Sequence, residues 1–389
     1  MRHHSCICGD LMSDYSQLDK YVEPDLEKMA LIEDVRPMMK LESSYIEMND
    51  YDFKGNYVKY DYCLEAPAIK SIKICPKCKK RFDAVENFCP DCLVTLKYPQ
   101  DMDSIKGIEI NSKIEFKGSG NSSNILTKNN IELICNFDFT IDDFNDIVHS
   151  IKAQGFRNLD NAIKDNSIDL DSLNILDKVL LFAKAFVSVE YKSYGEDLGY
   201  FQFNKIYVDD RQCKSLQITT LIHELSHFLL KEFLVHTTCK ILDVNKNRHV
   251  EAVIIYILSN SSFNSLIDEY AAHSVEGRFT IFGYQDYSSF TAIQKDLDSE
   301  HVDIAKTIGN TFAIYIKELL EGFLDWDLRE DIKTQFLKDT IESPDYRQLQ
   351  LENCNKLSDE GFIKAIWLIL SEGFQNCNIE VVKRYMEEF

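Results

Sequence analysis

Glycine and proline are scarce, 14 and 7 residues in 389, and only two tryptophans occur. So little Gly and Pro excludes collagen-like repetition, and 45% hydrophobic residues exclude wholesale disorder; the chain can bury a core and divide into two or three domains. Long apolar runs are lacking too. The longest nearly uncharged ones, such as Ala252 to Leu258, fall far short of the roughly 20 residues of a membrane span. Met1-Arg-His-His-Ser-Cys leads into acidic, polar sequence without the apolar stretch of a secretory signal. The expectation is therefore a soluble, cytoplasmic protein without a membrane partner. Positive charge is short as well: 43 Lys and Arg face 64 Asp and Glu, a formal charge of -21. Nucleic acids are bound chiefly through Lys and Arg, which makes them poor partners for this chain.

Cysteine, by contrast, is plentiful, with 12 residues whose spacing points to metal or buried thiols rather than disulfides. Within SIKICPKCKKRFDAVENFCPDCLVTLK, Cys75, Cys78, Cys89 and Cys92 form two Cys-x-x-Cys turns, each preceded by a short apolar run that could be a strand. Two such turns can close a tetrahedral four-thiolate site, the arrangement zinc prefers for structural work. This segment resembles the zinc-ribbon family over residues 71–97. From Lys70 to Lys97 seven basic residues face three acidic ones, and four thiolates with one Zn²⁺ bring the local net charge to only +2, which suits a metal-stabilised module or a protein-docking surface better than nucleic-acid binding. Residues 1–70, acidic with scattered aromatics, read as a loosely ordered arm, and residues 98–130, containing KGSGNSSNILTKNN, as a linker.

From residue 131 helical periodicity dominates. Thr140 can cap a helix presenting Ile141, Phe144, Ile147, Val148 and Ile151, with Gly155 ending it. A second helix is expected from Asp171. The stretch VSVEYKSYGEDLGYFQFNKIYV predicts a hairpin turning around Glu196 and Asp197, and helices follow near 215–235, 247–259 and 262–277 and again from about 301 onward.

The helix expected near 215–235, with the sequence LQITTLIHELSHFLLKEFL, contains His223-Glu224-Leu225-Ser226-His227. On a helix the two histidines lie one turn apart on one face and can share a zinc, while Glu224 beside them can take a proton from metal-bound water. Farther on, in SSFNSLIDEYAAHSVEGRF, helical spacing puts Phe263, Leu266, Ile267, Tyr270 and Ser274 on the packed side, and Glu269, His273 and Glu276 at i, i+4 and i+7 on another.

HExxH after a hairpin, with a later Glu-x-x-Ala helix, resembles the gluzincin branch of zinc metallopeptidases, especially its minimal members and the ImmA/IrrE-like group, over residues 171–280. The ribbon-first layout is also similar to zinc-ribbon proteins of methanogenic archaea. The resemblance implies an α+β, mainly helical zincin-like domain over 131–389 with a small β-sheet, and a hydrolase acting on a protein or peptide. It implies a catalytic zinc on His223, His227 and Glu269 in addition to the structural zinc of the ribbon, with Glu224 as general base and the strand near Tyr200 to Val208 as the cleft rim. His273, where the family often has an acidic residue, becomes a candidate for orienting a ligand or for the third ligand itself, and Asp268 competes for the latter role. Tyr270, His273, Arg278, Tyr284 and Tyr287 are near enough in sequence to stabilise an oxyanion, but none falls in a motif. The alternative function is a non-catalytic, zinc-stabilised regulator or adaptor that binds a protein partner.

Weaker signals complete the inventory. His3, His4, Cys6 and Cys8 form a terminal cluster in a segment expected to be mobile. Cys63, Cys135, Cys213, Cys239, Cys354 and Cys377 have no partner spacing and read as buried thiols, and Phe362, Ile366, Trp367 and Leu370 as a core stripe.

Overall fold

The computed structural model describes the strands at 45–51 and 57–63, parts of 73–96, and residues 105–121, 124–191, 198–279, 292–323, 330–335 (without 333) and 356–389. The architecture is α+β and mostly helical, with a three-stranded sheet. Inside the stretch read as a loose arm, β1 (Tyr45–Tyr51) and β2 (Tyr57–Cys63) pair antiparallel, Tyr45 opposite Cys63 and Tyr51 opposite Tyr57. The rest of the arm, including His3, His4, Cys6 and Cys8, lies outside the described residues. In the cysteine segment β3 (Lys73–Ile74) pairs with β4 (Arg81–Phe82), and a bridge joins Phe88 to Thr95.

The stretch expected to be a flexible linker is, over its described residues, a strap on the helical body. Ile105, Ile114 and Ile125 enter the core. The buried Lys184 ammonium donates to the carbonyls of Ile105, Lys106 and Ile108 at 3.1, 2.7 and 2.8 Å. Glycines that read as flexible instead permit close approach: a Cβ on Gly118 would collide with the Val244 backbone, and Gly120 exchanges backbone hydrogen bonds with Asp243 and Asn245 at 2.9 Å.

α1 (Lys128–Cys135) leads to α2 (Ile141–Asp165), which Thr140 caps as expected in a capping box with Asp143. Gly155 does not end α2. The helix passes through it because the Phe186 ring occupies the space a Cβ would need. Instead of a helix from Asp171, a 3₁₀ turn (Leu170–Ser172) precedes α3 (Ile175–Phe186), which Asn174 caps. The sheet departs from the expected hairpin. β6 (Gly199–Gln202) and β7 (Lys205–Val208) form the antiparallel pair, turning at Phe203 and Asn204 with φ of 48° and 73°, while β5 (Ser188–Tyr191) joins β7 in parallel. Asparagine tolerates the left-handed conformation that a two-residue turn needs, so Asn204 marks the turn; Glu196 and Asp197 lie outside the described residues.

α4 (Lys214–Leu242) is the central helix, buried along nearly its whole length, and it packs against α2, α3, the sheet, α5 (Arg248–Ser259) and α6 (Ser262–Phe279). α5 and α6 meet at a 95° bend. α7 (Ser299–Glu321) packs on α6 where Gly309 lies against the Ile267 carbonyl and Tyr270, so a small residue on α7 sets this approach. α8 (Asp359–Gln375) and α9 (Ile379–Glu388) close the far side. Phe362, Ile366 and Leu370 are core, but Trp367 is 41% exposed and donates its indole N–H to the Cys135 carbonyl. Of the lone cysteines, Cys239 is buried and Cys135, Cys213 and Cys377 partly so. Among the described residues no single helix is long and apolar enough to cross a membrane.

The Gly155–Phe186 contact yields a stability test. Ala has the higher helix propensity, by about 1 kcal/mol, but the buried ring cannot yield without strain costing about 1–3 kcal/mol. Gly155→Ala should therefore lower stability in urea denaturation, and adding Phe186→Leu should recover the loss.

Candidate metal centres

The four ribbon sulfurs lie within 4.8 Å of one another. Cys78 and Cys89 Sγ are 3.6 Å apart, and sulfurs each about 2.3 Å from a tetrahedral zinc would be separated by about 3.8 Å. The Cys75 N–H donates to the Lys80 carbonyl at 3.0 Å and the Cys89 N–H to that of Val94 at 2.9 Å, so the two turns are built alike. Burial opposes ionisation of Cys75, Cys89 and Cys92, yet backbone N–H groups of Cys78 and Lys77 draw Cys75 below the ordinary thiol range, whereas burial and its sulfur neighbours push Cys92 above it. A thiolate shared among neighbours is poised to take a cation. The four cysteines thus form a cluster that could hold a metal, as a zinc ribbon requires.

The second cluster is built from α4 and α6. His223 Nε2 and His227 Nε2 face each other at 3.1 Å, and His223 Nε2 is 3.8 Å from Glu269 Oε2. Two nitrogens each about 2.0–2.1 Å from a tetrahedral zinc are about 3.3 Å apart, so the donor set fits one metal ion. The other nitrogen of each ring meets a carboxylate: His223 Nδ1 is 3.1 Å from Glu276 Oε2, and His227 Nδ1 is 2.9 Å from Asp268 Oδ1. Such contacts fix which nitrogen is left for a metal and how the ring is turned. Asp268 is thus placed behind a histidine rather than in the donor set. His273 Nδ1 shares Glu276 Oε2 at 3.3 Å, so it touches the carboxylate that orients His223, and its Nε2 is 3.8 Å from Glu269 Oε2.

Glu276 is the residue whose part was missed. Its position at i+7 from Glu269, on the same face, was the available signal; it supplies from one turn farther on the carboxylate expected at position 273. Glu224 is buried beside the histidines. Of the residues near enough to steady an oxyanion, Tyr270 is packed in the core, Arg278 is paired with Glu321 at 3.0 Å, and Tyr284 and Tyr287 lie outside the described residues.

Charges in this cluster are strongly coupled. Burial opposes a charge on His227, but Asp268, then Glu269 and Glu224, outweigh it and raise its pKa to about 10. His223 is raised in the same sense, burial being overcome chiefly by Glu276. Burial lifts the Glu224 carboxyl above the usual range despite the neighbouring histidines. For Glu269 and Glu276 the imidazoles overcome burial and lower the carboxyls. Compared with known protein families, curated proteins and solved structures, the chain matches none.

A metal needs neutral imidazole, so an ion entering here must displace the protons that these carboxylates stabilise, and protons compete with it increasingly as pH falls. The apparent affinity of a Cys75→Ser/Cys89→Ser protein for zinc, measured against a chromophoric chelator, should rise from about pH 6 to about pH 8. Asp268→Asn removes the main charge that raises His227 and should flatten the dependence.

Proposed function

We propose that the chain is a zinc-dependent peptide hydrolase of the gluzincin kind, with His223, His227 and Glu269 as ligands and Glu224 as general base. The observation that carries this reading is the 3.1 Å approach of the two Nε2 atoms, each ring backed by a carboxylate, with Glu224 in the adjoining position on the helix. A zinc bound by three protein ligands acidifies a water at its fourth position and polarises a carbonyl. Glu224, whose burial raises its proton affinity, would accept the water's proton and later pass it to the leaving amine. Asp268 and Glu276 would hold the ligand rings in the required tautomer. The outer edge of β6 is where an extended peptide could add as a strand. The Cys75, Cys78, Cys89 and Cys92 site would be a second, structural zinc. On that module Phe88 and Leu93 are 62% and 83% exposed, which suits docking to a protein partner.

A second reading, a zinc-stabilised regulator, is favoured by one specific observation. His273 Nε2 stands 3.8 Å from Glu269 Oε2, close enough that a modest shift would let it close the fourth position, and closed four-ligand zinc sites are structural.

Glu224→Gln separates the two. It keeps the side chain's size but not its basicity, and zinc content should persist while hydrolysis falls roughly 10²–10⁴-fold. Glu269→Gln should lose zinc as well. The readout is mass spectrometry of new peptide termini in cell extract, beside elemental analysis. New termini that are the same with wild type and Glu224→Gln would favour the regulator.

A further inference from the structure

His223 faces donors on both sides of its ring. Nε2 looks toward His227 and Glu269, and Nδ1 toward Glu276 of α6. His273 and Glu276, three residues apart on that helix, join His223 in a group whose donor atoms all lie within 4.8 Å of one another. Glu276 Oε2 is 3.1 Å from His223 Nδ1 and 3.3 Å from His273 Nδ1. Ligands about 2.0–2.1 Å from a tetrahedral ion are about 3.3 Å apart, so both contacts have ligand spacing. The centroids of the His223 and His273 rings are 4.6 Å apart, as close as those of His223 and His227 at 4.8 Å.

The His227 side of the cluster differs. Among the described residues Asp268 meets one imidazole there, which is all that orienting a ring requires, whereas Glu276 meets two. The set around Glu276 is also deeper, with the His273 and Glu276 side chains 5% and 1% exposed against 20% for Asp268. Charge balance favours a further cation. Glu224, Asp268, Glu269 and Glu276 stand beside His223, His227 and His273, so one dication with neutral rings leaves this layer two charges negative. Anions held away from water need counter-charges.

We infer that His223 Nδ1, His273 Nδ1 and Glu276 form a second site for a divalent cation, and that His223, ligating through both nitrogens, bridges it to the ion held by His223, His227 and Glu269. Nitrogen and carboxylate donors of this kind suit zinc and cobalt. The incoming ion takes the place of the Nδ1 protons of His223 and His273, which leave to solvent, and the shared ring becomes an imidazolate. Two ions on the opposite nitrogens of one ring stand about 6 Å apart. The inference rests on the reading that His223, His227 and Glu269 hold the first ion, not on hydrolysis.

Metal titration of the Cys75→Ser/Cys89→Ser protein tests it. Zinc added at about pH 8, above the ordinary imidazole range, should bind in two equivalents, and His273→Gln in the same background should leave one. Cobalt(II) gives a second readout that needs no substitution at the site. One equivalent should show the electron paramagnetic resonance of an isolated high-spin ion, and the second should diminish that signal, because an imidazolate couples the two spins. A single zinc equivalent before His273 is changed, as expected if His273 were instead a fourth ligand of the first ion, would overturn the inference. So would a second equivalent that survives His273→Gln, or a cobalt signal that doubles. A helical body that takes up no zinc at all would sink the first site as well, whereas one equivalent with Glu224-dependent cleavage would sink this inference alone.

Discussion

Two imidazoles and a carboxylate buried on one helix cannot stand without partners, and the contact between α4 and α6 is the answer to that demand. Buried polar groups need hydrogen bonds and buried charges need counter-charges. α6 brings Asp268 to His227 and Glu276 to both His223 and His273, and it leaves Glu269 turned toward the paired Nε2 atoms. α7, seated on α6 through Gly309, braces the layer from behind. A dication that displaced two imidazole protons would leave the charge of this layer unchanged.

The two clusters divide the available donors by chemistry. Four sulfurs on short turns make a soft, closed set whose geometry comes from local backbone hydrogen bonds, so it needs little from the rest of the fold. The nitrogen and oxygen set is assembled by two helices brought together from distant parts of the sequence, and its orientation depends on carboxylates one layer out. The first can be disrupted without touching the second, because no residue is shared.

What was legible in the sequence follows from this difference. The Cys-x-x-Cys spacings and the i, i+4 histidines are local patterns, and both clusters were found from them. Thr140 was a readable cap for the same reason. Glu276 was visible only as a position on a helix face, since its partner His223 belongs to another helix. Gly155 and Gly118 were misread because glycine signals both a break and a close approach, and only the facing Phe186 and Val244 decide between them. Asn204 was passed over for Gly195, nine residues earlier. The strap at 105–121 looked like a linker because its anchors, Lys184 and Asp243, lie far away in sequence.

The central claim is that His223, His227 and Glu269 share one metal ion. X-ray absorption at the zinc edge of the Cys75→Ser/Cys89→Ser protein tests it directly, because the remaining zinc should report the helical cluster alone. The account predicts two imidazole nitrogens at about 2.0–2.1 Å with oxygen completing the shell and no sulfur. A sulfur shell, or no bound zinc at all once the ribbon is removed, would contradict it.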